Sequence, residues 1–189
     1  PAADEVGITV GGTQVLKADS TGIDVTGTAV TDGVTVAGNL SVDGGTIKLD
    51  GNYPTGTDNV ALGNAALDSV DASGAGNIAI GDSAATALTT GTNAIAIGRD
   101  AMSVGVVTGT DDIGIGRSSL ENLSSGSSNV GIGVFALTST TTASQNIAIG
   151  NSAGRLNQTG AGLTLIGHEA GKNNLSGANT AIGYQAMIG

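Results

Sequence analysis

The chain has 189 residues, of which 33 are glycine and only three (Tyr53, Phe135 and Tyr184) are aromatic. A round globular core of this length normally uses larger side chains, whereas 39% hydrophobic residues are too many for a disordered chain. The net charge of −10 leaves no basic stripe for nucleic acid. No apolar run approaches the ~18 residues of a membrane span. The absence of cysteine excludes disulfides and thiolate metal sites.

Residues 1 to about 57 contain short apolar–polar–apolar triplets separated by glycines, the pattern of short strands with one buried face. Strands this short are unstable as isolated hairpins, so we expect them to pair with other chains in an intertwined β stalk. Tyr53-Pro54 predicts an extended joint, which places a domain boundary near residue 57. The triplets are Ile8–Val10, Ile23–Val25, Val34–Val36, Leu40–Val42 and Ile47–Leu49.

Residues 58–189 consist of eight repeats, each anchored on a glycine. The intervals between anchors are 18, 17, 18, 17, 17, 17 and 16 residues, and so regular a period indicates one structural unit stacked on itself. The chain opens Pro-Ala-Ala-Asp-Glu, with no initiator methionine or signal peptide, and ends soon after a repeat begins; we expect a piece of a longer protein. The anchors are Gly63, Gly81, Gly98, Gly116, Gly133, Gly150, Gly167 and Gly183.

The columns of the aligned repeats predict an all-β parallel solenoid. Ile or Leu precedes every anchor glycine, a β-branched residue stands three before it, and a small residue lies between them except at Leu165. Ala, or once Ser119, stands three after the glycine, which implies crowding by a neighbouring layer. A second apolar residue follows, so we expect two short strands per coil and a rod of about 40 Å. These second residues include Leu88, Val104, Leu123, Leu156 and Leu175.

A further column, four before the glycine, contains Asn in five repeats and Asp112 in one. Stacked Asn side chains can form a hydrogen-bonded ladder along the solenoid axis. Asn also tolerates the left-handed turn that begins a strand. The sequence leaves both roles open.

The segments Asn59–Gly63, Asn77–Gly81, Asn146–Gly150 and Asn179–Gly183 resemble the head repeat of trimeric autotransporter adhesins, a motif also found in bacteriophage tail fibres. The resemblance covers about residues 58–189, with coils longer and less uniform than those of adhesin heads. It implies a left-handed parallel β-roll in which three chains pack side by side. Residues 38–47 resemble the stalk of phage tail fibres, and the heptads typical of autotransporter stalks are absent.

These resemblances imply a virion tail fibre that is structural and adhesive. The expected partners are two further copies of the chain, other virion tail proteins, and a glycan or protein receptor on the host cell. A bacterial surface adhesin head is the alternative, and a polysaccharide-degrading tailspike is a less favoured one. A fibre multiplies weak contacts because several binding ends act together.

The sequence offers little for catalysis, and nothing in it implies a cofactor. His168 is the only histidine, no nucleophile–base pair is evident, and the adjacent Asp111 and Asp112 would point to opposite faces of a strand. The Gly-rich nonapeptide of calcium-binding β-rolls is absent. We therefore predict neither a catalytic nor a metal site.

The residue directly after each anchor glycine varies while neighbouring columns are nearly constant, and we expect it to form one line along the outside of the solenoid. A solvated edge is the default interpretation, with Asp82 close enough to Arg99 for an exposed ion pair. The alternative is a ligand-binding surface whose exposed aromatic residues stack on sugars. Its candidate residues are Arg99, Arg117, Phe135, His168 and Tyr184.

Overall fold

The computed structural model describes residues 6–10, 13–19, 22–25, 56–174 and 176–188. The chain divides into two compact units, Pro1–Ile47 and Lys48–Gly189, each described by itself below. Throughout the described ranges all regular structure is β and no helix forms. Accordingly, these ranges include no helix with the length and apolarity needed to cross a membrane.

The first unit contains a three-stranded antiparallel sheet. Strand β1 (Val6–Val10) pairs with β2 (Thr13–Asp19), which pairs with β3 (Gly22–Val25). The strands predicted at Ile8–Val10 and Ile23–Val25 lie within β1 and β3, whereas β2 was not predicted. These strands find hydrogen-bonding partners within the same chain, and the intertwined stalk of several chains stays a prediction.

The remaining stalk predictions lie outside the described residues. They are the strands at Val34–Val36, Leu40–Val42 and Ile47–Leu49 and the joint at Tyr53-Pro54. The domain boundary near residue 57 stays a prediction.

The second unit is a parallel β-solenoid of about seven turns, as the repeat predicts. Its eight strands form one sheet in chain order, and each three-residue strand pairs in register with the next, as in Ile95↔Ile113 and Ile97↔Ile115. The strands are β4 (Val60–Leu62), β5 (Ile78–Ile80), β6 (Ile95–Ile97), β7 (Ile113–Ile115), β8 (Val130–Ile132), β9 (Ile147–Ile149), β10 (Thr164–Ile166) and β11 (Thr180–Ile182).

Each solenoid strand turns its central residue inward, a small one except for Leu165 in β10, and turns the two flanking residues outward. Ala79, Ala96 and Ala148 are fully buried, whereas the flanking aliphatic side chains remain partly or largely exposed, up to 67% for Ile182. Small residues are needed inside because the Ala three after the glycine and the residue that follows it also fill the narrow coil. The core residues at this last position are Leu67, Ala85, Met102, Leu120 and Leu137.

The second strand predicted for each coil is wrong. Opposite the sheet the described chain makes turns, and only two isolated parallel bridges form, Leu88↔Val107 and Thr92↔Thr110. Leu88 and Leu123 are buried as predicted, but Val104 and Leu156 are 47% and 44% exposed. Val104 and Leu156 stand six residues after their anchor glycines, whereas the buried Leu88 and Leu123 stand seven after theirs. In the coil of Val104 the buried apolar residue is Val107. Leu175 lies outside the described residues.

Leu165, which breaks the small-residue column, is accommodated by two glycines. Its side chain is fully buried, and a Cβ placed on Gly154 would lie 2.9 Å from Leu165 Cδ1. Gly171 lies one coil further on, and a Cβ placed on it would lie 2.5 Å from Leu165 Cδ2. Both glycines occupy the position filled by Leu137 and Leu120 in earlier coils, so the larger strand residue replaces the volume that they leave.

The buried Asn column forms the predicted ladder. Asn59 Oδ1 accepts a hydrogen bond from the backbone N–H of Asn77 at 2.9 Å, and Asn129 Oδ1 accepts one from that of Asn146 at 3.2 Å. Their Nδ2 groups donate to turn carbonyl oxygens at 3.1 and 2.9 Å. The left-handed conformation belongs to the preceding position, for example Asp58 at φ 59°. The structure therefore favours the ladder over the left-handed turn.

Candidate ligand-binding ridge

The residue directly after each anchor glycine occupies a sharp corner of the coil. The anchor glycine has φ between 125° and 142°, and the residue two after it is left-handed in every coil, as in Ser83 and Phe135. We call the intervening column the ridge. All its members are exposed except Val134, which is half-buried, so the predicted outer line exists. It consists of Asn64, Asp82, Arg99, Arg117, Val134, Asn151, His168 and Tyr184.

Neighbouring ridge residues contact one another because successive coils are stacked in register. Asn64 Nδ2 donates a hydrogen bond to Asp82 Oδ1 at 3.2 Å. At the other end, the His168 and Tyr184 rings stack with centroids 5.2 Å apart and planes at 10°. Tyr184 is 72% exposed, so one face of this aromatic pair is open to solvent. A paired aromatic surface of this kind suits the apolar face of a sugar.

The ion pair predicted between Asp82 and Arg99 does not form. Arg99 Nε lies 3.6 Å from Asp100 Oδ2, the carboxylate next to it in sequence, while Asp82 accepts the hydrogen bond from Asn64. The Arg99 pair is exposed, so its contribution to stability is small.

Phe135 lies beside the ridge and not in it, and it is half-buried where the prediction had it exposed. Two guanidinium groups cover it: Arg117 Cζ lies 4.4 Å from the ring centroid and Arg155 Cζ lies 5.0 Å from it. Such cation–π contacts restrain long side chains that would otherwise sample many rotamers. The ring therefore holds two positive charges in place and is not itself a free sugar-stacking surface.

Arg155 is the residue that the sequence analysis missed. It stands five after Gly150, outside the varying column, and only stacking brings it to Phe135 of the preceding coil. The available signal was compositional. No Asp or Glu occurs between Glu121 and Glu169, so an arginine in that stretch has no carboxylate nearby in sequence.

A polar cluster borders the ridge near His168. Lys172 Nζ lies 2.6 Å from Glu169 Oε1, and Gln185 Nε2 donates to Glu169 Oε2 at 2.8 Å. The hydrogen bond from Lys172, with a smaller effect from Gln185, lowers the pKa of the Glu169 carboxyl. Both oxygens of Glu169 are thus occupied by neighbours, and the cluster is an internally paired group.

Elsewhere the described residues bring no three His, Asp or Glu side chains together as a metal site. Asp111 and Asp112 diverge as predicted, since Asp111 is exposed and Asp112 is 1% exposed within the Asn ladder. The described ridge and its neighbours present cations and aromatic rings on a repetitive scaffold.

No protein-family model, curated protein or solved structure matches this chain.

Proposed function

We propose that this chain is a segment of a bacteriophage tail fibre, assembled as a homotrimer, that positions host-cell attachment. The observation that carries the proposal is the outer face of the solenoid sheet. Two columns of side chains, aliphatic except for Thr164 and Thr180, run along it through the eight strands, and five of the aliphatic side chains are more than a third exposed. They are Leu62, Ile80, Ile147, Ile149 and Ile182.

The size of this apolar face supports a role in association. Eight strands at ~4.8 Å spacing and two side chains per strand make a surface of roughly 300–400 Å², about the size of the largest apolar patch on a typical monomer, which is often an interaction site. Fourteen of its sixteen residues are aliphatic. Completing the burial of each would contribute roughly 0.5–1 kcal/mol, a total on the order of 10 kcal/mol, which is comparable to the cost of association.

The repeat resemblance supports the identity of that partner and the geometry. In the adhesin-like heads three copies pack side by side with left-handed coils, so the aliphatic columns of this chain would meet at a common axis. In this assembly the residues before about 57 form the stalk, and the β-roll is a stiff spacer between virion and host. The fibre would be joined to other virion tail proteins and carry contacts to a host surface glycan or protein receptor.

Sedimentation velocity with paired variants tests the assembly. Ile149→Lys places a charge in the outer column at a side chain 37% exposed in the single chain, and Val106→Lys makes the same change at a turn residue 58% exposed. We expect the parent chain and Val106→Lys to sediment as trimers and Ile149→Lys to dissociate. A compact, folded single chain for the parent protein would overturn the proposal.

The genomic context tests the phage assignment separately. We expect the complete gene to lie beside genes for other tail proteins. A carboxy-terminal membrane-barrel segment in that gene would instead favour the bacterial adhesin head, whose repeats share the same motif.

A further inference from the structure

A pair of arginines and one phenylalanine form the arginine cluster: Arg117, Phe135 and Arg155, contributed by three successive coils. Both guanidinium carbons lie within 5.0 Å of the Phe135 ring centroid. The two guanidinium carbons are therefore separated by no more than the sum of the two distances, 9.4 Å. The shared ring restrains both side chains, so part of the entropy cost of ligand binding is already met in the free protein.

The charges of this cluster lack balancing partners among the described residues. The other two cations of the described solenoid are each paired, Arg99 with Asp100 and Lys172 with Glu169. Within the same residues neither Arg117 nor Arg155 lies at ion-pair distance from a carboxylate. Glu121 is the nearest acidic residue in sequence to Arg117, and none follows before Glu169.

This placement runs against the composition of the protein. A chain of net charge −10 repels anions in general, yet it places two restrained guanidinium groups on one ring, and one of them, Arg155, stands in the stretch between Glu121 and Glu169 that has no carboxylates. Guanidinium groups bind carboxylate and sulfate through two parallel hydrogen bonds, and their donors remain available when the carbon lies over a ring.

We propose that the arginine cluster binds an acidic polysaccharide, with carboxylate or sulfate groups on nearby sugars of one chain held by Arg117 and Arg155. The inference rests on the proposed attachment function and specifies its ligand class. Phe135 positions the two arginines. The open face of the His168–Tyr184 stack, two coils beyond Phe135, provides an apolar contact for a sugar ring further along the same polymer.

The test measures binding of the complete protein to immobilised polygalacturonate, dextran sulfate and neutral dextran, at low salt and at about 0.5 M salt. We expect binding to one or both acidic polymers, weakening with salt, and none to dextran. Binding to polygalacturonate alone assigns carboxylate as the recognised group, and binding to dextran sulfate alone assigns sulfate. Failure with both acidic polymers, or equal binding to dextran, overturns the proposal.

Two double variants separate a site from a general charge effect. Arg117→Gln/Arg155→Gln and Lys17→Gln/Lys172→Gln remove the same charge, but only the first removes cations of the arginine cluster. The first should weaken binding at least about tenfold, the second less than about threefold, and Arg117→Lys/Arg155→Lys should restore part of the loss. Equal losses in the two Gln variants would overturn the proposal.

The outcomes also separate this inference from the proposed function. If the parent chain sediments as a trimer but does not bind the acidic polymers, the inference fails and the fibre assignment stands. If the chain is a stable monomer, the fibre assignment fails whatever it binds. Unchanged unfolding midpoints in the three double variants would show that any lost binding is not lost folding.

Discussion

Asp112 is a defect in the buried Asn ladder, and replacing it with Asn should stabilise the solenoid. Its Oδ1 accepts hydrogen bonds from the backbone N–H of Asn129 at 2.8 Å and from Asn129 Nδ2 at 3.0 Å, as an Asn oxygen would. Its Oδ2 is buried without a partner. Gly109 is flanked by Asp112 Oδ2 and the Gly126 carbonyl oxygen.

The corresponding coil shows what is missing. Gly56 is flanked in the same way by Asn59 Nδ2 and the Gly74 carbonyl oxygen, and there Nδ2 donates to that oxygen at 3.1 Å. In the Asp112 coil an unprotonated Oδ2 therefore faces the Gly126 carbonyl oxygen, and both atoms are hydrogen-bond acceptors. The side-chain amide introduced by Asp112→Asn, or a protonated Asp112, supplies the missing donor.

The expected gain in stability follows from the raised pKa of Asp112. Burial, opposed by the hydrogen bonds from Asn129 and reinforced by neighbouring Asp111, raises the pKa of Asp112 from 3.8 to about 6. Because the folded-state pKa is the higher one, the folded protein holds the proton more tightly. The contribution of Asp112 to the free energy of unfolding is therefore greatest below about pH 4 and falls as the pH rises to about 6. The loss is roughly 3 kcal/mol at neutral pH.

Thermal and urea unfolding of Asp112→Asn across pH 4–7, at fixed protein concentration, measures this effect. We expect a gain of about 3 kcal/mol at pH 7, or about 6–12 °C in Tm, shrinking toward zero near pH 4. Asp111→Asn removes the same charge at the exposed neighbour and should change the pH profile little. A destabilised Asp112→Asn protein, or a gain independent of pH, would refute the reasoning.

Two further substitutions test how the coils pack. Gly150→Ala should destabilise the fold by at least about 3 kcal/mol, because its Cβ would lie 2.6 Å from the Gly167 carbonyl carbon. At Gly183 an added Cβ would have nothing within 4 Å, so Gly183→Ala should cost only the backbone strain of its φ of 128°, about 1–2 kcal/mol. Equal unfolding midpoints for the two variants would contradict the stacking argument. Leu165→Ala should lower the free energy of unfolding in urea by about 2–4 kcal/mol because it leaves a buried cavity. Leu156→Ala, at a side chain 44% exposed, should lower it by under about 1 kcal/mol. The reverse order would show that Leu165 is not a core residue.

The period alone predicted the parallel in-register sheet, because an Ile–Ala–Ile strand repeated at a near-constant interval can stack its like residues only one way. The second strand was a wrong prediction for an equally local reason. Val104 and Leu156 are apolar, but they stand six residues after their anchor glycines, one fewer than the buried Leu88 and Leu123, and their side chains are exposed. Hydrophobic identity without a fixed distance from the glycine does not determine burial.

The arginine cluster could be predicted only in part, because its contacts join residues of different coils. Arg117 was accessible to prediction because it stands in the varying column. Phe135 and Arg155 stand at other offsets, and only the geometry of three successive coils places their side chains together. A contact made between coils, from columns with different offsets, leaves no pattern within any one repeat.

The columns of this solenoid differ in how much substitution the stacking permits. At the anchor glycine a side chain would strike the next coil, and at the Asn position a buried hydrogen bond crosses from coil to coil. The ridge residue has neither constraint, because it lies at the corner with its side chain in solvent. Variety along the chain is therefore concentrated where it costs the scaffold least. A binding surface can change there without any change in the rod that carries it.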